Sequence, residues 1–269
     1  LTTGGYNVAI GHEALSTEDA NGRNTAIGTW ALALQNAGAD AYNVAVGYRA
    51  GVNVSTGVQN TLIGGLAGDS LTTGSYNVAL GYKALSTEDG HGLNTAVGAY
   101  ALEYLNAGAD AYNTAIGYNT GNAMTTGIQN TLIGANAGTK LTIGQYNVAL
   151  GTYALSSETT GSRNIAIGQG ALNALVHGGE AYNVAIGYQA GVAVSTGIRN
   201  ILIGGLAGDA LTTGERNVAV GYAALSAEDA DGYNTAIGYY ALAAQDAGAD
   251  AYNVAVGYNA GTAVSTGVQ

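Results

Sequence analysis

The sequence predicts an all-β protein: a parallel β-solenoid (β-roll or β-helix) of about fifteen 17–19-residue coils, grouped into a 70-residue, four-coil super-repeat. Three observations predict it. One short motif recurs along the whole chain, a β-branched residue fills one position of every copy, and glycine keeps step with the motif. A short fixed period of this kind sets the fold ahead of local propensity.

The motif is Asn, a β-branched residue, Ala or Leu, an aliphatic residue, then Gly. Its asparagines are Asn7, Asn24, Asn43, Asn60, Asn77, Asn94, Asn113, Asn130, Asn147, Asn164, Asn183, Asn200, Asn217, Asn234 and Asn253. Successive steps run 17, 19, 17 and 17 residues, and 17 + 19 + 17 + 17 gives the period of 70. Counting from the Asn, position +7 is alanine in every copy except Thr120. Position +8 alternates in pairs, Leu15 and Leu32 followed by Gly51 and Gly68. Position +2 is alanine except at Leu62, Leu132 and Leu202, once per super-repeat.

Each motif reads as a strand of about five residues, with Val8 and Ile10 on one face and Asn7, Ala9 and Gly11 on the other. Val, Thr or Ile at position +1 of all fifteen copies is what a pleated, half-buried surface favours. A helical solenoid needs roughly 30 residues or more per repeat and a 3.6-residue apolar pattern, which this chain lacks. Coils stacked about 4.8 Å apart predict a rod of roughly 70 Å.

Stacking places like on like. The asparagines are therefore expected to form a ladder whose side-chain amides bond between rungs. Tyrosine supplies most of the aromatic content and recurs just before the Asn (Tyr6, Tyr42, Tyr76) and just after the motif glycine (Tyr48, Tyr82, Tyr118). Such rings pack one face and keep a wet hydroxyl, with glycan stacking as the alternative role. The small set Asn, Ala, Gly either offers a flat face for side-by-side association, a homotrimer being the leading expectation, or lines a narrow coil interior.

Charged residues are only 9% of the chain and hydrophobic ones 47%, a balance that supplies a core and excludes disorder by self-repulsion. A net charge of −11 with seven Lys and Arg excludes binding to a nucleic-acid backbone. With no cysteine there is neither a disulfide framework nor a thiolate metal site. No apolar run reaches the length that spans a bilayer. Residues 1–269 read as one continuous solenoid, and Gln269 falls just where the next motif Asn is due, as in a segment of a longer repeat array.

The runs YNVAIG (Tyr6 to Gly11), NVAVGYRAG (Asn43 to Gly51) and NVAIGYQAG (Asn183 to Gly191) resemble the head repeats of trimeric autotransporter adhesins. Similar tandem NxAIG repeats occur in phage tail-fibre proteins. The resemblance covers all fifteen motifs and implies a left-handed parallel β-roll, usually trimeric, acting as a stalk or adhesive head. It carries over no catalytic residue. The coils here are longer than those of the adhesin heads, and the four-coil super-period is stricter.

Chemistry is sparse. His12, His91 and His177 share no motif position, so no metal triad or Ser-His-Asp set can be assembled from a repeating face, and the chain is read as no enzyme. Acidic residues are more regular. Glu18, Glu88, Glu158 and Glu228 recur every 70 residues, with Asp19, Asp89 and Asp229 beside them, and Asp40, Asp110, Glu180 and Asp250 stand third before a motif Asn. In successive loops Glu18, Asp19, Asp40, Glu88, Asp89 and Asp110 are candidate Ca²⁺ ligands, with solvated acidic loops as the alternative. Otherwise no cofactor is expected. The 19-residue coils carry those third-position acids, and their two extra residues are expected to bulge outward.

The functional expectation is a structural, extracellular, cell-surface or virion-surface fibre or adhesin stalk, or a phage tail-fibre shaft. Its partners are copies of itself and a glycan or surface receptor. An ice-binding solenoid is the alternative, resting on Thr3, Thr56, Thr73 and Thr126; it needs regular threonine arrays on a flat face, and the corner glycines interrupt one.

Overall fold

The computed structural model describes residues 5–18 and 22–268. Its described residues contain strands and turns and no helix. The chain divides into two compact units, Leu1–Asn130 and Thr131–Gln269. The first holds β1 (Val8–Ile10), β2 (Thr25–Ile27), β3 (Val44–Val46), β4 (Thr61–Ile63), β5 (Val78–Leu80), β6 (Thr95–Val97) and β7 (Thr114–Ile116). The second holds β8 (Thr131–Ile133), β9 (Val148–Leu150), β10 (Ile165–Ile167), β11 (Val184–Ile186), β12 (Ile201–Ile203), β13 (Val218–Val220), β14 (Thr235–Ile237) and β15 (Val254–Val256). Each unit is a parallel β-solenoid. In the first, every strand pairs in parallel with the next in sequence, equivalent motif positions facing each other. The second repeats the arrangement.

The strands are three residues long, shorter than the expected five, because glycine at +4 turns the chain at once. These glycines have φ between about +127° and +142°, a region closed to L side chains. They also stack on one another: a Cβ at Gly47 would meet the Gly64 backbone at 2.5 Å. Position +7 then closes a turn onto the glycine, as in Ala31 N–H to Gly28 O at 3.2 Å. A second turn closes from +11 to +8, as in Leu71 N–H to Gly68 O at 3.2 Å.

Glycine does not make every corner. Positions −1, +6 and +8 carry Tyr42, Arg49 and Leu32 with φ of 55°, 57° and 48°, and their equivalents in other coils behave alike. A bulky residue in the left-handed region is strained by about 1–2 kcal/mol. Bonds to the adjacent coil hold such corners, for example Arg49 N–H to Thr29 O at 2.9 Å, Leu32 N–H to Ala50 O at 3.1 Å and, at a −1 position, Tyr76 N–H to Val58 O at 3.1 Å.

The interior resolves the two readings of the small-residue face. Ala26, Ala45, Ala79 and Ala96 at +2 are fully buried, as are Leu62, Leu132 and Leu202. The alanines line the coil interior, and the β-branched residues at +1 and the aliphatic residues at +3 look outward. The flat small-residue surface that motivated a trimer is therefore not on the outside.

The super-repeat is a packing cycle. Where +8 is leucine, as at Leu15 and Leu32, it fills the coil; where it is Gly51 or Gly68, the space is taken by Leu62 from +2 and by Val54 and Leu71 from +11. Close-packed interiors require this exchange of volume between neighbours.

Candidate functional site

The asparagines form the expected ladder in each unit, with one change of partner. The Oδ1 of each Asn accepts mainly from the backbone N–H of the next motif Asn: Asn60 N–H to Asn43 Oδ1 at 2.8 Å, Asn77 N–H to Asn60 Oδ1 at 2.9 Å, Asn200 N–H to Asn183 Oδ1 at 2.9 Å. Amide-to-amide bonds occur at Asn130 to Asn113 and Asn164 to Asn147, both 3.2 Å. In most coils Nδ2 donates across the interior to the carbonyl at +14, as from Asn60 to Gly74 at 2.8 Å. All but Asn7 and Asn253 are buried. These side chains supply buried polar groups with partners, a structural role.

The 70-residue acidic series is not on the surface. Glu18, Glu88, Glu158 and Glu228 sit at +11, the interior column occupied elsewhere by Val54, Leu71, Met124 and Leu141, and are at most 1% exposed. The expected solvated loops are thus corrected at these positions. Turn backbone satisfies the carboxylates. Glu158 Oε1 accepts from Thr159, Thr160 and Gly161 N–H at 2.8, 3.1 and 2.8 Å, and its Oε2 accepts from His177 N–H at 3.0 Å.

Glu228 is less well provided, with Asp231 N–H at 3.2 Å and Asn234 Nδ2 at 3.5 Å. Burial pushes its carboxyl up to about 7, and Asp231, Asp246 and Asp229 add to the rise. Burial also raises Glu88, countered by N–H groups of Ala107 and His91.

The six calcium candidates do not converge. Glu88 and Asp89 come together, but with His91; their ligand atoms lie within 4.8 Å of one another. Asp110 instead accepts from Gly92 N–H at 3.1 Å, and Asp40 pairs with Arg23 at 2.7 Å. Glu18 is buried, and Asp19 lies outside the described residues. A second group, Glu228, Asp231 and Asp246, also lies within 4.8 Å and was not picked out by spacing. The first group includes an imidazole nitrogen, whereas Ca²⁺ takes oxygen ligands. The 19-residue coils do bulge: Ala39 and Asp40 are exposed, and a Cβ at Gly38 would meet nothing within 4 Å.

The outer surface carries three kinds of column. The first is the strand face, where Ile27, Leu80, Ile116, Ile165 and Ile237 are all more than one third exposed. No charged residue occurs at +1 or +3 of any motif. The second is position −1, where Arg23 lies over Tyr6 and Tyr42 at 5.0 and 5.6 Å, and Arg163 over Tyr146 and Tyr182 at 4.7 and 5.9 Å. The third lies just past the motif glycine, where Tyr222, Tyr239 and Tyr258 stack at 5.5 and 5.3 Å. Rings stacked along the column face each other, which favours packing over glycan stacking in that run.

Thr56, Thr73 and Thr126 fall in turns, outside the strands, and Thr3 lies outside the described residues. A comparison with protein-family models, curated proteins and solved structures finds no match.

Proposed function

We propose that this chain is a non-catalytic structural segment of an extracellular fibre, of a cell-surface stalk or phage tail-fibre kind, that associates with copies of itself along the strand face. One observation carries the reading: the paired +1 and +3 columns form an outward-facing, half-buried to exposed β-branched and aliphatic stripe without a charge, on a chain whose net charge is −11. Apolar stripes of this kind mark interaction surfaces. A partner must match the coil spacing to stay in step, and a second copy does so at every rung. The resemblance to trimeric adhesin heads supports three chains as the closed form, now with aliphatic faces inward.

Sedimentation equilibrium of the purified chain tests this, with Ile27→Lys/Leu80→Lys as the comparison. Three chains for the parent and one for the variant are expected; a monomeric parent at tens of micromolar would remove the self-association reading.

A further inference from the structure

We propose that Trp30 and Arg49 form a binding site for a carboxylate-bearing sugar unit. The site is independent of whether the chain associates with itself.

Position +6 of consecutive coils carries Glu13, Trp30 and Arg49 in turn, the first exposed and the other two half-buried. With Ser16, Leu34 and Val52 they line an open groove of about 300 Å³. That is the lower end of ligand-site volumes, suited to one ring. The Trp30 indole is fixed on three sides. Its N–H donates to Glu13 Oε2 at 2.5 Å, Tyr48 packs against it at 5.8 Å, and His12 meets it edge-on at 6.1 Å. Leu34 and Val52 extend the apolar wall, Leu34 being half exposed.

Arg49 gives the groove its chemistry. Among the described residues Arg23, Lys83, Arg163 and Arg216 each have a carboxylate within ion-pair distance; Arg49, Lys140 and Arg199 have none, and of these three Arg49 is the one that lines the groove. Its Nε has no acceptor. Asp69 is near enough to feel its charge without bonding to it. A guanidinium in that state is matched by a carboxylate, which takes two parallel N–H bonds. The indole accepts the C–H face of a pyranose, while Glu13 and Ser16 offer hydrogen-bond partners for its hydroxyls.

The repeat itself marks the place. At the same positions the later super-repeats have Tyr100 and Asn119, Gly170 and Gln189, Tyr240 and Asn259; the other coil pair that sets an aromatic beside a cation is Tyr100 with Lys83, and there the cation is taken by Glu103 at 3.1 Å. Core columns keep their pattern through these coils, and this surface does not. The fold has no need of the difference.

Trp30 is the single tryptophan, so its fluorescence reports this groove alone. The full chain is titrated with methyl β-D-glucuronide and with methyl β-D-glucoside, its neutral twin. A saturable change with a midpoint in the millimolar range is expected for the glucuronide, with the glucoside at least about tenfold weaker. Arg49→Gln should abolish that discrimination while circular dichroism stays that of the parent. Equal response to both sugars, no saturation, or a glucuronide response unchanged in Arg49→Gln overturns the proposal. So does a response to an Asp/Glu-rich peptide but not to the glucuronide. If Arg49→Gln does not fold, the parent's two titrations decide.

Discussion

Leu62 occupies the space that a side chain at Gly51 would need: a Cβ there would stand 2.6 Å from Leu62 Cδ1. Gly68, on the other side, would meet Leu62 Cδ2 at 2.8 Å. The same arrangement returns 140 residues later, where Leu202 lies 2.6 Å from a Cβ at Gly191 and 2.8 Å from one at Gly208. The large residue at +2 and the glycines at +8 therefore form one volume-conserving group.

Leu62→Ala should destabilise by about 2–5 kcal/mol, because it opens a cavity in a close-packed coil. Gly51→Ala should cost about 1–3 kcal/mol, from overpacking and from φ of 58°. The double variant should be better than the sum by about 0.5 kcal/mol or more, since the nearest clashing atom has gone. Solenoids open locally, so amide hydrogen exchange in the coils around β4 is the measurement. Strict additivity would show that the two positions do not share volume.

The Asn ladder gives the second prediction. Asn60→Ala leaves the Asn77 N–H and the Gly74 carbonyl without their partners, 2.9 and 2.8 Å away in the parent. Each buried group left unpaired costs about 1–3 kcal/mol. Asn60→Asp keeps an acceptor for Asn77 N–H but turns a negative oxygen toward the Gly74 carbonyl, so it should rescue little. Faster exchange of the Asn77 amide is expected in the Ala variant, with a smaller increase in the Asp variant, which keeps its acceptor.

Periodicity alone made the solenoid, its coil lengths, its super-repeat and its Asn ladder legible. Those features depend on identical residues stacking, and a repeat displays that directly. Other features stayed hidden because they depend on which way a side chain points. Glu88 and Glu228 look like loop acids in sequence, yet the second turn rotates +11 inward. The corners at Leu32, Tyr76 and Arg49 were also illegible, since a left-handed backbone is expected of glycine, and bonds between coils hold these residues there instead. Trp30 was visible only as a count of one.

Arg163 lies between the rings of Tyr146 and Tyr182 and bonds Glu180 at 2.6 Å. Exposed pairs of this kind contribute little and are screened by salt. Arg163→Ala should therefore shift the thermal midpoint far less than Leu62→Ala, and the shift should shrink at 1 M NaCl, given a Debye length of about 3 Å there. Arg163→Lys keeps the charge but loses the flat guanidinium, and should fall between parent and alanine. A loss in Arg163→Ala as large as that of Leu62→Ala, measured by the same melts, would mean the column is structural and not decorative.

Glu228 makes stability depend on pH. Its folded carboxyl titrates at about 7, above the ordinary value of 4.5. The folded chain thus holds the proton over a range in which the unfolded chain has released it. This contribution is complete below about pH 4.5 and is lost as pH rises through about 7. At about 1.4 kcal/mol per pH unit, the loss amounts to at most about 3.5 kcal/mol. Glu228→Gln cannot ionise, so it should match the parent near pH 4.5 and exceed its stability at pH 8. The acids facing this group are Asp229, Asp231 and Asp246, and their repulsion works in the same direction. Exchange of the amides in the turn after Glu228, followed from pH 5 to 8 with correction for intrinsic rates, reads the effect at the site. Parallel pH profiles for parent and variant would show that Glu228 stays ionised inside the coil, with the turn amides supplying enough stabilisation to keep it so.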